Sequence, residues 1–130
     1  MSAKILTVDD SKMVRMIVAK AFIPYGCEIF EAGNGAEALE TAAANVPDLI
    51  FLDITMGDMS GLLVLEKLRA MPEFVNTPVI MLTAESGTST LERADQLKVA
   101  GYVAKPFKGE QLLALAGQFI ALNPPAAAAA

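Results

Sequence analysis

Three aspartates, a threonine and a lysine stand at the ends of short apolar runs, and together their types suit phosphoryl chemistry on a carboxylate. Leu49-Ile50-Phe51-Leu52 closes on Asp53, and Ile5-Leu6-Thr7-Val8 runs into Asp9-Asp10. Val79-Ile80-Met81-Leu82 meets Thr83, and Gly101-Tyr102-Val103-Ala104 meets Lys105-Pro106. In an open parallel sheet the carboxyl ends of the strands share one edge, which is where ligands bind. Carboxylates crowded at that edge repel one another when ionised. A hard cation such as Mg²⁺, which takes oxygen ligands and needs only one or two carboxylates, relieves the repulsion. Taken alone, Asp9-Asp10 serves equally well as negative charge at a helix N-terminus. Asp53 at the end of a second strand favours the metal. Thr83 and Lys105 point to an anion that visits the site, because phosphoryl transfer needs positioning and charge neutralisation. Asp53 is then the attacking carboxylate, with the Lys105 ammonium and the Thr83 hydroxyl each meeting a phosphoryl oxygen. In isolation Lys105 is a surface lysine and Thr83 a strand end, so their joint placement carries the reading. Lys105-Pro106 admits a cis peptide bond, or a trans proline opening the last helix.

The elements that must position these residues alternate strand and helix along the whole chain, which implies an α/β domain with a parallel sheet. Ser11 is an N-cap for a helix whose Val14, Ile17, Val18, Ala21 and Phe22 repeat at helical spacing, and Pro24-Tyr25-Gly26 stops it. Residues 27–32 alternate like an edge strand with one wet face. Asn34-Gly35-Ala36-Glu37 has capping-box spacing before an alanine-rich helix that runs to about Asn45. Leu62, Leu65 and Leu68 share a face of the third helix. Residues 86–99 form the weakest helix, polar and with Leu91, Ala94 and Leu97 as its sparse inner face. Leu112, Leu113, Ala116, Phe119 and Ile120 mark the last helix. Right-handed crossovers then place helices on both faces of the sheet. The domain is expected to span 1–122, with the Pro/Ala tail 123–130 disordered outside it.

The chain of 130 residues, 54% of them hydrophobic, fits one domain with a single core. Its apolar runs are too short to span a bilayer, and the first residues lack the regions of a signal peptide. The single cysteine, Cys27, makes no internal disulfide, so a reduced cytoplasmic setting is expected. A net charge of -5 without a basic stripe argues against nucleic acid. There is no histidine, so any histidine chemistry must come from a partner.

Asp9-Asp10, Asp53, Thr83-Ala84 and Lys105-Pro106-Phe107, in this order and rhythm, resemble the receiver domain of response regulators in two-component signalling, CheY-like in having no output domain in this chain. The resemblance covers Lys4 to about Leu122 and implies the flavodoxin-like (βα)5 fold with strand order 2-1-3-4-5. It implies that a sensor histidine kinase or histidine phosphotransfer protein presents phosphohistidine, and that Asp53 accepts the phosphoryl group. Mg²⁺, with Mn²⁺ able to substitute, would be held by Asp10, Asp53 and the backbone carbonyl of Thr55, with Asp9 nearby through water. Lys105 would contact the phosphoryl oxygens, Thr83 would swing toward them, and Tyr102 would turn from outward to inward. The face from Ser86 to Gly109, built by the fourth helix, fifth strand and fifth helix, would then meet a downstream target. A monomer or weak dimer is expected.

Two positions depart from the family pattern. Met56-Gly57 replaces Met-Pro, which loosens the loop after Asp53, and Ser60 stands where Asp or Asn often precedes the glycine; its hydroxyl still suits a helix cap. Three alternatives remain: a phosphorelay shuttle, a degenerate receiver acting only as an interaction module, and an aspartyl-phosphate hydrolase of the haloacid-dehalogenase type. The last wants a second aspartate two residues past the nucleophile, where this chain has Thr55. A flavin-binding use of the same fold fails because no phosphate-cradling loop follows the first strand.

Overall fold

The computed structural model describes residues 3–54, 56, 59–83 and 88–122, with backbone alone for 88–91. Five strands, β1 (Lys4–Val8), β2 (Glu28–Ala32), β3 (Leu49–Asp53), β4 (Val79–Thr83) and β5 (Gly101–Ala104), form one sheet. All pairs are parallel, and the order is β2-β1-β3-β4-β5. The helices are α1 (Lys12–Phe22), α2 (Gly35–Asn45), α3 (Gly61–Arg69), α4 (Thr88–Gln96) and α5 (Gly109–Ala116). This is the flavodoxin-like order expected of the sequence.

Each central strand is apolar on both sides because each side meets a helix layer. Ile5, Leu49, Phe51, Ile80, Leu82 and Val103 pack with Val18 and Phe22 of α1 and Leu112 and Ala116 of α5. Leu6, Val8, Ile50, Leu52, Val79 and Met81 pack instead with α2, α3 and α4. β2, at the edge, keeps Glu28 and Glu31 exposed. The period of two carries past the apolar stretch. It puts Asp9, Asp53 and Lys105 on the α1/α5 side of the sheet edge, and Thr83 and Tyr102 on the side of α4. Thr7, also on the α1/α5 side, has a buried hydroxyl with no hydrogen-bond partner among the described residues.

Local chemistry sets the helix starts. Ser11 Oγ accepts from Val14 N–H at 3.4 Å, and Ser60 Oγ from Leu63 N–H at 3.2 Å. Asn34 Oδ1 accepts from Glu37 N–H at 2.8 Å, while Glu37 Oε1 accepts from Gly33 N–H at 3.2 Å, one residue upstream of the usual capping-box donor.

Two helices are shorter than their apolar spacing suggests. α5 ends at Ala116 and not at Ile120. Gly117, a weak helix former, follows it. The chain then tightens to three-residue turns, with Gln118 N–H donating to Leu115 and Phe119 N–H to Ala116. Ile120 still packs on the core, and Phe119 is exposed. Among the described residues α4 spans Thr88–Gln96 and stops short of Val99, because Lys98 turns left-handed at φ 59° and ends it. Residues 86 and 87, and the tail 123–130, lie outside the described residues.

Candidate functional site

The carboxyl ends of β1 and β3 bring three acids together. One carboxylate oxygen from each of Asp9, Asp10 and Asp53 lies within 4.8 Å of the other two. Asp9 is fully buried and Asp53 nearly so, whereas Asp10 is exposed. β5 delivers Lys105 to the same point: its Nζ donates to Asp9 Oδ2 at 2.8 Å and to Asp53 Oδ1 at 3.1 Å. Its backbone N–H donates to the Thr83 carbonyl at 2.8 Å, fastening the lysine to the end of β4. The Lys105–Pro106 peptide bond is cis.

Opposing effects act on the Lys105 ammonium. Burial by itself pulls its pKa down, yet the hydrogen bonds and charges of Asp9 and Asp53 together outweigh burial and hold it above the ordinary lysine range. The lysine is therefore charged at every working pH and offsets part of the acidic repulsion. The remaining donor set consists of carboxylate oxygens without nitrogen or sulfur, which fits a hard divalent ion such as Mg²⁺ and not a thiolate-seeking or imidazole-seeking metal.

The close approach of α3 shapes the other wall. Gly61 N–H donates to the Ile54 carbonyl at 2.7 Å, and a Cβ on Gly61 would collide with the Asp53 carbonyl oxygen. Only glycine lets the helix start against the strand end there. Thr83 is buried at the end of β4, one residue beyond Leu82, which pairs with Asp53. Tyr102 lies further back on β5, beside Met81, and its hydroxyl donates to the Asp95 carboxylate of α4. Thus the structure gathers Asp9, Asp10, Asp53 and Lys105, sets Thr83 at the adjoining strand end, and leaves Tyr102 turned to α4. Thr55, Gly57 and Ala84 fall outside the described residues.

Two partners were not evident in the sequence. Arg15, one turn into α1, reaches back to the Asp9 carbonyl and across to Glu31. Asp95 is the acceptor for Tyr102. The weak signals were an arginine one helical turn after the acid pair and an acid in the last turn of α4.

Comparison with known proteins agrees with this geometry. The family described as the response regulator receiver domain matches residues 5–116. The chemotaxis protein CheY of Bacillus subtilis is 32% identical over 114 residues, covering 87% of this chain and 93% of that protein. Sporulation initiation phosphotransferase F, also of Bacillus subtilis, is 31% identical over 112 residues, covering 86% of this chain and 89% of its own. Among solved structures, chemotaxis protein CheY4 of Vibrio cholerae superposes with a TM-score of 0.87 at 31% identity, covering 92% of this chain and all of the other. The chain belongs to the response regulator receiver domain family, the CheY-like phosphoacceptor modules of two-component signalling.

Proposed function

We propose that Asp53 accepts a phosphoryl group from the phosphohistidine of a sensor histidine kinase or histidine phosphotransfer protein. One observation carries the reading: a single ammonium, Lys105 Nζ, bonds both Asp9 and Asp53 while Asp10 stands exposed beside them. An Asp53 carboxylate oxygen attacks phosphorus, the new O–P bond forms, and the P–N bond breaks with its electron pair leaving on the imidazole. Asp10 and Asp53, with the Thr55 carbonyl, are the proposed ligands of Mg²⁺, and Asp9 acts through water; Mn²⁺ suits the same oxygens. Bound there, the ion supplies neutralisation of the charge on the phosphoryl oxygens. Lys105 moves its bond from Asp53 Oδ1 to a phosphoryl oxygen, and Thr83 meets another. Removing one such donor typically costs about 3 kcal/mol of transition-state stabilisation. Attack of water on phosphorus later returns Asp53, so the chain catalyses its own phosphorylation and slow dephosphorylation without acting as an enzyme on other substrates.

Output is proposed to pass through the α4–β5–α5 face to a protein target, with Thr83 and Tyr102 as the switch pair. Tyr102 leaves its outward contact with Asp95 as Thr83 engages the phosphoryl group. A cytoplasmic monomer or weak dimer, with no nucleic-acid or membrane partner, completes the reading; among the described residues no helix is long and apolar enough to cross a membrane. A relay shuttle is the second reading, favoured by the similarity to a protein named a phosphotransferase.

Incubation with acetyl phosphate and Mg²⁺, followed by intact mass measurement, tests this. One added phosphoryl group is expected, absent from Asp53→Asn and absent with chelator. No added mass in the native chain contradicts the proposal and leaves an interaction module. Turnover of many phosphate esters indicates a hydrolase.

A further inference from the structure

We infer that Arg15 is a positioning residue for the cation site: by holding the Asp9 carbonyl, it fixes the direction in which Asp10 presents its carboxylate. The inference rests on the proposed role of Asp10 as a metal ligand. Asp10 makes no hydrogen bond or ion pair with any described residue, so its own side chain does not hold it in place. Its aim is set by the backbone on either side, and that backbone is pinned at Asp9 through every polar group the residue has. The Asp9 N–H donates to Ala32 O at 3.1 Å. Its Oδ1 accepts from Ser11 N–H at 2.9 Å and its Oδ2 from Lys105 at 2.8 Å. The last group, the carbonyl between Asp9 and Asp10, accepts from Arg15 Nη1 at 2.6 Å.

Three of these four bonds have acceptors or donors already explained by the sheet, the helix cap or the acid cleft. Arg15 is the one long side chain recruited for the purpose. Its Nε donates at the same time to Glu31 Oε1 at 3.0 Å, which braces the guanidinium against the end of β2. It also lies against Gly33, where a Cβ would stand 3.4 Å from Nη1. The planar fork holds two acceptors in fixed relation, which an ammonium on a flexible stem does not. Mg²⁺ demands near-ideal octahedral geometry, so a small error in one carboxylate is costly.

Position and charge predict opposite signs here, which makes the inference decidable. A guanidinium near a dication site repels the dication, so charge alone makes Arg15→Gln bind Mg²⁺ more tightly. Positioning makes it bind more weakly. Titration calorimetry with Mg²⁺ on the native chain, Arg15→Gln and Arg15→Lys measures this, with thermal melts in chelator to establish that each variant folds. The expected result is about tenfold weaker Mg²⁺ binding in Arg15→Gln, the usual scale for losing an orienting partner, and no restoration by Arg15→Lys. Glu31→Gln, which keeps the arginine but loosens its brace, is the second variant should Arg15→Gln fail to fold; it is expected to weaken Mg²⁺ by roughly twofold to threefold. Unchanged or tighter binding in a folded variant overturns the inference while leaving the proposed function intact. A native chain that binds no Mg²⁺ overturns both.

Discussion

The Tyr102 hydroxyl donates to the Asp95 carboxylate, tying β5 to the last turns of α4 across the face opposite Lys105. Burial, and then the hydrogen bond and charge of Asp95, push the Tyr102 pKa up to about 12. The fold therefore prefers the neutral phenol. This contribution to stability is fully present below the ordinary tyrosine value of about 10 and is lost as pH rises from there through the folded value of about 12. Absorbance titration of tyrosinate in a Tyr25→Phe background is expected to give a midpoint near 12. With Asp95→Asn added, it drops toward the ordinary value. An unmoved midpoint would show that the carboxylate does not hold the phenol.

The same bond has a functional consequence. Tyr102 leaves α4 only by giving up Asp95, so Asp95→Asn is expected to favour the inward rotamer before any phosphorylation. Tyrosine fluorescence or side-chain NMR of Tyr102 in the unphosphorylated variant checks this. A rotamer population identical to the native one counts against the coupling.

Lys105→Met is expected to destabilise the chain by about 3 kcal/mol in the absence of divalent ions, since it leaves two buried carboxylates facing each other. Added Mg²⁺ restores part of the loss. The Lys105 pKa is raised, so its stabilising contribution is complete below the ordinary lysine value and disappears as pH climbs through the higher folded one. Urea denaturation of both chains, at neutral pH and again well above it, should show the gap closing at the alkaline end. A constant gap contradicts the assignment of the stabilisation to the ammonium.

Arg69 serves the opposite edge of the sheet. Its guanidinium donates to four carbonyls: Leu97 at 2.8 Å, Phe74 at 2.7 Å, Thr77 at 2.8 Å and Lys98 at 3.1 Å. Arg69→Met leaves these carbonyls without their charged donor and is expected to cost roughly 2–4 kcal/mol. Because the acid cleft lies at the other end of the strands, Mg²⁺ affinity should stay within about twofold. A melt and a Mg²⁺ titration together check both halves.

Thr7→Val removes a buried hydroxyl that finds no partner among the described residues. The change is expected to be neutral or to stabilise by up to about 1 kcal/mol, as measured by urea denaturation. A clear loss would mean that the hydroxyl is satisfied in solution.

These cases show why some of the molecule was legible in the chain and some was not. Apolar runs ending in Asp53, Asp9-Asp10, Thr83 and Lys105 state their own placement, because a parallel sheet exposes its functional groups only where the runs stop. The caps at Ser11, Asn34 and Ser60 were readable for a similar reason: each partner lies three residues away. Arg15, Arg69 and Asp95 are different. Arg69 bonds to four backbone carbonyls and Arg15 to one, beside the Glu31 carboxylate; every residue offers a carbonyl, and only the folded arrangement selects which ones. Asp95 meets Tyr102 through the packing of α4 on β5. The end of α5 is hidden in the sequence because Phe119 and Ile120 keep helical spacing, while Gly117 and its tight turns carry them on without a regular helix.

The central claim is that Asp53, and neither acid of the neighbouring pair, carries the phosphoryl group. Phosphorylation with acetyl phosphate and Mg²⁺, reduction of the acyl phosphate with borohydride, and peptide sequencing by mass spectrometry locate the modified residue directly. The account predicts a reduced side chain at position 53 alone. Modification at Asp9 or Asp10, or none at position 53 in a chain that has gained phosphate, would contradict it.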